Sequence, residues 1–279
     1  MNVKLIRTGA LGDVILTTPV LRRLRLVEYP GARIDVQTGY PDVFKGSPWV
    51  TEINPTEPRD YDAIVDLDLA YERDPKKHVV HAYMQTAFGD DGAAFDGQQE
   101  LFDPQLRRPR EPKLVVIHGA GATWRSRQQG NQFWQDVQEH LRAAGYRTIT
   151  VGSMADAGGG DVDLRGHLPL LNLRRLILSA GWFVGSDSGP LHVAGATDTA
   201  IIGLFSCARP EFRLPLRSST IPTIGLTPAL DCVGCLHDAA PPVTSLGCRR
   251  GDYACVEGGL AIPAWSISEK IRAVDTGLR

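Results

Sequence analysis

The chain has 279 residues, 43% of them hydrophobic and 22% charged, with a formal net charge of −2. That balance fits a soluble globular protein of about two domains at roughly 150 residues each, and excludes collagen-like or disordered chains. The longest apolar runs, such as residues 199–205, fall far short of the ~20 residues of a membrane-spanning helix. The first residues offer too short an apolar stretch for a signal peptide, so a cytoplasmic protein is expected. Basic and acidic residues number 14 and 17 up to residue 110, then 16 and 15. Neither half is a polycation, so nucleic acid is not a favoured partner, while peripheral membrane contact and a homo-oligomer stay open.

The chain opens as a strand (Val3, Leu5, Ile6), a Gly-rich loop over 7–13, and a helix with Ile15, Val20, Leu21 and Leu24 on one side and Pro19 early in it. Residues 32–38 alternate as a second strand, 63–67 read as a buried third strand, and 78–88 have helical spacing. The Pro-rich, charged stretch 103–112 is placed as the domain linker. A second series follows: a strand over 114–117, a helix over 133–144 stopped by Gly145, a strand over 148–151, and a loose loop over 152–160. It continues with a helix over 170–180, a strand over 182–185, a helix opening at Gly189, a strand over 200–205, and a last helix over 265–275. Strands alternating with helices predict an α/β protein of two Rossmann-like domains, with a cleft at the C-terminal ends of both sheets. The limits are 1–106, 112–262 (including a Cys-rich loop over 231–256) and a terminal helix over 263–279.

Gly185-Ser-Asp-Ser-Gly-Pro-Leu-His192 joins a buried strand to a helix, with Pro190 in the first turn where a missing N–H costs nothing. Free amides at Ser188 and Gly189 suit an anion such as phosphate, and His192 adds a donor. The competing account is a capped helix with a buried His. Asp13, at the tip of the first loop, is either a general base facing the cleft or a helix N-cap. Gly9 and Gly12 allow close backbone approach to substrates.

Gly9-Ala-Leu-Gly-Asp-Val-Ile-Leu-Thr-Thr-Pro-Val-Leu-Arg-Arg-Leu-Arg25 resembles the opening signature of glycosyltransferase family 9, the ADP-heptose heptosyltransferases. His118-Gly-Ala-Gly-Ala-Thr123 resembles the family's loop after the first strand of the second domain, and residues 185–205 resemble its donor-binding segment. The resemblance implies the GT-B architecture, with acceptor on the first domain, nucleotide sugar on the second, and inversion by a single displacement. It favours Asp13 as the base. It assigns Thr123, Asp187, Ser188, Gly189 and His192 to the donor, with Gly9 and Gly12 beside them. Where the family carries a Lys after the Gly-Ala-Thr stretch this chain has Arg127, with Arg125 the competing cation. The family's Trp-Pro pair becomes Gln129-Gly130, and Asp156 stands as a substitute for its ribose-holding Glu. The chain shows no paired-carboxylate metal motif, so the transfer itself is expected to need no divalent metal.

Cys232-x2-Cys235-x12-Cys248-x6-Cys255 has the form of a four-thiolate site for zinc or iron, with Cys207 outside the pattern. Reduced buried thiols or disulfides are the alternatives. With the Trp265-Ser-Ile-Ser that follows, the segment resembles the Cys-rich part of bacterial autotransporter heptosyltransferases, which implies four Cys holding iron and a protein Ser acceptor. The leading expectation is therefore transfer from ADP-heptose to a lipopolysaccharide-core saccharide. A protein acceptor is the alternative, and a nucleotide-sugar epimerase or a metal-stabilised assembly subunit lies further off.

Overall fold

The structure, a computed structural model, describes residues 1–103, 109–119, 124–238, 247–257 and 261–277. Two parallel sheets organise them. The first comprises β1 (Asn2–Ile6), β2 (Arg33–Gln37), β3 (Glu52–Ile53) and β4 (Ala63–Asp66) in the order β3-β2-β1-β4. The second comprises β5 (Glu111–His118), β6 (Arg147–Val151), β7 (Val162–Asp163), β8 (Ala180–Ser186), β9 (Ala200–Leu204) and β10 (Thr223–Leu226) in the order β10-β9-β8-β5-β6-β7. Helices α1 (Leu11–Ile15), α2 (Thr18–Arg23), α3 (Ala70–Arg73) and α4 (Val79–Phe88) belong to the first half. Helices α5 (Asn131–Ala143), α6 (Leu170–Ser179), α7 (Gly189–Gly195), α8 (Pro210–Arg213) and α9 (Ala264–Asp275) belong to the second. No helix among the described residues is long and apolar enough to cross a membrane.

The expected first helix is two helices, continued by a π-helical turn over Leu24–Glu28. Pro19 has no N–H to give the carbonyl of Ile15, and the hydroxyl of Thr18 donates to that carbonyl at 2.9 Å instead. Thr17 does the same for Val14 at 2.8 Å. The strand over 63–67, expected to be buried, is β4 at the sheet edge, and Ile64 is 61% exposed. Only Val65 and Leu67 of that run reach the core. Residue 180, expected to end α6, opens β8 directly. The strand β5 begins at Glu111, inside the stretch expected as linker; residues 104–108 lie outside the described residues.

Central β5 and β8 are buried along most of their length, as parallel strands covered on both faces must be. Helices α5 and α9 close one face through Trp134, Leu141, Ile267 and Ile271. Each such aliphatic side chain contributes about 1.5–3 kcal/mol on full burial. Asp275 ties the terminal helix down by accepting from the Trp182 indole N–H at 3.1 Å and the Tyr146 hydroxyl at 2.5 Å.

The two halves meet where α1 faces α7. A Cβ on Gly12 would lie 2.6 Å from the His192 ring, and one on Gly189 would lie 3.0 Å from Leu11. Small residues are therefore required for the helices to approach. His78 adds a second tie: its Nδ1 accepts the Val80 N–H at 3.2 Å, and its Nε2 donates to the Leu214 carbonyl at 3.0 Å. Accepting at Nδ1 requires a neutral ring, and burial pushes this imidazole down to about 4.

Candidate active site

A cavity of about 460 Å³ opens at the C-terminal ends of β1, β5, β6 and β8, lined by both halves of the chain. From the first half come residues 10–13, Tyr71, Glu72 and Pro75; from the second come His118, Trp124, Arg127, Ser153, Asp156, residues 187–190, His192, Arg213 and Leu236. Its size suits a ligand of several hundred daltons. Of the expected site residues, Gly12, Asp13, Arg127, Asp156, Asp187, Ser188, Gly189 and His192 all line it. Thr123 lies outside the described residues. Gly9 stands off the lining, beside the Arg7 guanidinium, which a Cβ there would approach to 3.1 Å. At Gly9 and Gly12 the tight neighbours are therefore the protein's own side chains.

Asp13 does not cap α1. The N-cap is Ala10, with no side-chain capping bond, and Asp13 sits within the first turn. Its Oδ2 accepts from Arg7 Nη2 at 2.8 Å and from the Tyr71 hydroxyl at 3.3 Å. Arg7 is 3% exposed and also reaches Glu72 at 3.2 Å and the Leu67 carbonyl at 3.0 Å. Burial works against its charge, yet the surrounding acids and tyrosines hold the guanidinium above its ordinary value. Tyr71 is pushed up by burial and then by the Asp13 charge, so its hydroxyl stays a donor to Asp13. Asp13 is thus held from two sides, and its side chain is 21% exposed.

Across the cavity, Arg127 contacts Asp187 twice, at 3.2 Å through the carboxylate and 3.0 Å through the carbonyl, and lies over the Trp124 ring at 4.7 Å. Burial of Asp187 opposes its ionisation, but Arg127 and then Arg213 keep its carboxyl below the usual range. His192 Nε2 is 3.9 Å from the same carboxylate. Burial lowers the His192 value against the pull of Asp187 and Asp13, which favours a neutral ring. The competing cation, Arg125, is turned outward: it pairs with Glu257 at 2.8 Å and is 60% exposed.

Asp156 is already engaged. Its Oδ2 accepts from His118 Nε2 at 3.1 Å and from the Ser153 N–H at 2.7 Å, while Oδ1 is buried without a partner. Burial opposes ionisation here too, but those hydrogen bonds hold the carboxyl below its ordinary value. The other His118 nitrogen faces Ser188 Oγ at 3.0 Å. His118 thus bridges Asp156 and Ser188, and the Ser188 hydroxyl, which donates to the Ser186 carbonyl at 3.0 Å, does not cap α7. Sequence reasoning missed Arg7, Tyr71, Glu72, Arg213 and the part played by His118. A basic residue at a strand end beside a Gly-rich loop was a usable signal for Arg7. Nothing local marked Tyr71 or Arg213, which come together only through the tertiary fold.

Within the Cys-rich segment, Cys255 reaches Ser126, the neighbour of Arg127. All five cysteines are free thiols. Burial and then the neighbouring thiols, Cys207 first, push Cys235 up to about 11 and Cys255 up to about 12. Cys207, outside the spacing pattern, therefore shares the neighbourhood. At Cys248 burial pulls the same way, but backbone N–H groups win and lower the thiol; that of Tyr253 is 3.4 Å from the sulfur. Among the described residues no three His, Cys, Asp or Glu side chains form a group that could hold a metal ion. As placed, the thiols do not close into the tetrahedral set that their spacing predicts. Cys255 Sγ and the Ser206 hydroxyl both contact the Ser126 carbonyl, which fixes the residue beside Arg127.

The model of glycosyltransferase family 9 (heptosyltransferase) matches residues 66–235. The autotransporter heptosyltransferase TibC of Escherichia coli O78:H11 is 30% identical over 131 residues, 43% of this chain and 29% of that protein. The sequence match thus spans less than a third of that relative's length. Lipopolysaccharide heptosyltransferase 1 of Pseudomonas aeruginosa is 24% identical over 291 residues, covering 76% of this chain and 80% of that protein. Among solved structures, the dodecameric iron-containing TibC in complex with ADP-D-beta-D-heptose is similar with a TM-score of 0.76 at 18% identity, over 99% of this chain and 78% of that one. At that identity the likeness shows the fold, which is GT-B.

Proposed function

Because the chain belongs to glycosyltransferase family 9, the heptosyltransferases, we propose that it is an inverting enzyme moving a heptose from ADP-heptose to a hydroxyl of lipopolysaccharide-core saccharide in the cytoplasm. The observation that carries this reading is the placement of Asp13, oriented by Arg7 and Tyr71, in one cavity with Arg127, residues 187–190 and His192. The acceptor hydroxyl gives its proton to Asp13 as its oxygen bonds to the anomeric carbon. The bond from that carbon to the diphosphate breaks on the opposite face, and the electron pair leaves with the diphosphate. The amides of Ser188 and Gly189, neutral His192 and Arg127 receive that charge. The first part of the chain (1–106) takes the acceptor and the second (112–262) the donor. Incubation with ADP-heptose and a heptose-free core saccharide should release ADP and give an anomerically inverted product, with or without excess EDTA. Retention of configuration, or loss on chelation restored by Mg²⁺, defeats the mechanism.

The Cys-rich loop favours a second reading, a protein Ser acceptor and a homo-oligomer, as the relation to TibC suggests. The same relation supports a structural iron or zinc on Cys232, Cys235, Cys248 and Cys255, four thiols already gathered in one region. Ligation requires them to draw closer. Elemental analysis of protein purified under reducing conditions should find about one such ion per chain, because a structural site folds with its metal. Cys232→Ser and Cys248→Ser should each lose it together with much of the stability. A metal-free preparation that is fully stable with four titratable thiols contradicts this.

A further inference from the structure

The cavity holds a second cation. Arg213 ends α8, is 5% exposed, and lies on the cavity wall together with Tyr71 and Asp13. Its guanidinium sits 4.3 Å from the centre of the Tyr71 ring. Among the described residues no carboxylate comes within ion-pair distance of it, and Nη1 is buried without a hydrogen-bond partner. The segments outside the description contain no Asp or Glu side chain. Arg127 differs, since Asp187 already matches its charge at 3.2 Å.

The other groups close enough to sense Arg213 do not neutralise it. Asp187 feels it but is bound to Arg127. His78, His192 and His237 are all driven toward the neutral form, by burial first and by Arg213 among other causes. A guanidinium removed from water without a counter-charge is expensive to keep. The Tyr71 face offsets only part of that cost. The free protein is therefore poised to accept an anion at this point of the wall. Tyr71 fixes the point: the ring that Arg213 covers carries the hydroxyl that holds Asp13 at 3.3 Å. The unmatched charge thus stands beside the proposed reacting centre, on the half of the chain that also supplies Arg127 and residues 187–189.

We propose that Arg213 is a catalytic residue that binds the diphosphate of the nucleotide sugar and takes up the charge left on it. This rests on the donor reading given above. As the bond from the anomeric carbon to the diphosphate oxygen breaks, its electron pair stays on the diphosphate, and the acceptor proton goes to Asp13. Arg213 donates hydrogen bonds to the oxygens on which that charge collects, and it is the only cavity-lining cation among the described residues whose charge the protein leaves unmatched.

The test is calorimetric titration of ADP and of adenosine into wild type, Arg213→Met and Arg213→Lys, together with kinetics on ADP-heptose. Losing a charged hydrogen bond to phosphate should weaken ADP binding about 10- to 100-fold in Arg213→Met. Adenosine binding should not change, and Arg213→Lys should lie between. Turnover should fall more than KM rises, because the charge is greatest in the transition state. A purely structural Arg213 would instead cost stability. Here the Met variant should melt no lower than wild type without ligand, and should lose most of the stabilisation that ADP confers. ADP bound equally by wild type and Arg213→Met overturns the assignment alone. Weakened binding of a phosphorylated acceptor with ADP unaffected does the same. Wild type that takes up no ADP overturns the donor reading, and this assignment with it.

Discussion

Asp13→Asn should reduce transfer by about 10²- to 10⁴-fold while leaving ADP affinity close to that of wild type. The change is nearly isosteric, so the cavity wall is kept, but an amide cannot accept the acceptor's proton. Two observations make this sharper than the sequence could. Asp13 makes no capping bond, so α1 does not lose an N-terminal partner when the carboxylate goes. Its bonds run to Arg7 and Tyr71, groups that aim the carboxylate at the cavity. Single-turnover assays with saturating donor separate the outcomes. A variant that retains most of its turnover with the true acceptor shows that another group takes the proton, and Glu72, on the same wall, is then the next residue to replace.

The extent to which this site was legible follows from how locally each part is encoded. Asp13, Ser188, Gly189 and His192 sit on short strand–loop–helix segments, where spacing alone carries a residue to the C-terminal end of a parallel sheet. All four reach the cavity. Periodicity located the central strands and α4, α5, α6 and α9, because each has a face that must be buried. It missed β3, β7 and β10, edge strands of two, two and four residues with too little pattern to register. It ran α1 and α2 together, because apolar spacing persists through Pro19 while the hydrogen bonds do not. The resemblance offers Asp156 as a substitute for a ribose-holding Glu, and Asp156 lines the cavity; its bond to His118, 38 residues earlier in the chain, is not legible in the sequence because it exists only once β5 and β6 lie side by side. Arg213 and Tyr71 belong to the same class: their contact joins segments 142 residues apart across the cleft.

Arg7→Met should lower stability by about 3–5 kcal/mol, the cost of stranding buried acids whose shared cation is removed. Arg7 is 3% exposed and serves Asp13, Glu72 and, at 3.7 Å, Asp68. Of the three, Glu72 is the most deeply buried, and its Oε2 already lacks a partner. Solvent relieves Asp68 and part of Asp13, so most of the expected loss falls on Glu72. Urea unfolding at neutral pH measures it. The double variant Arg7→Met/Glu72→Gln should recover a large share, because the second change removes the charge that the first left unpaired. That recovery distinguishes electrostatics from lost packing, which a second substitution would only worsen. Transfer should fall in the double variant even as stability returns. Asp13 then has Tyr71 alone to orient it, and a carboxylate free to turn is seldom aligned with the acceptor hydroxyl. Stability and turnover that recover together would mean that Arg7 only fills the space beneath the site.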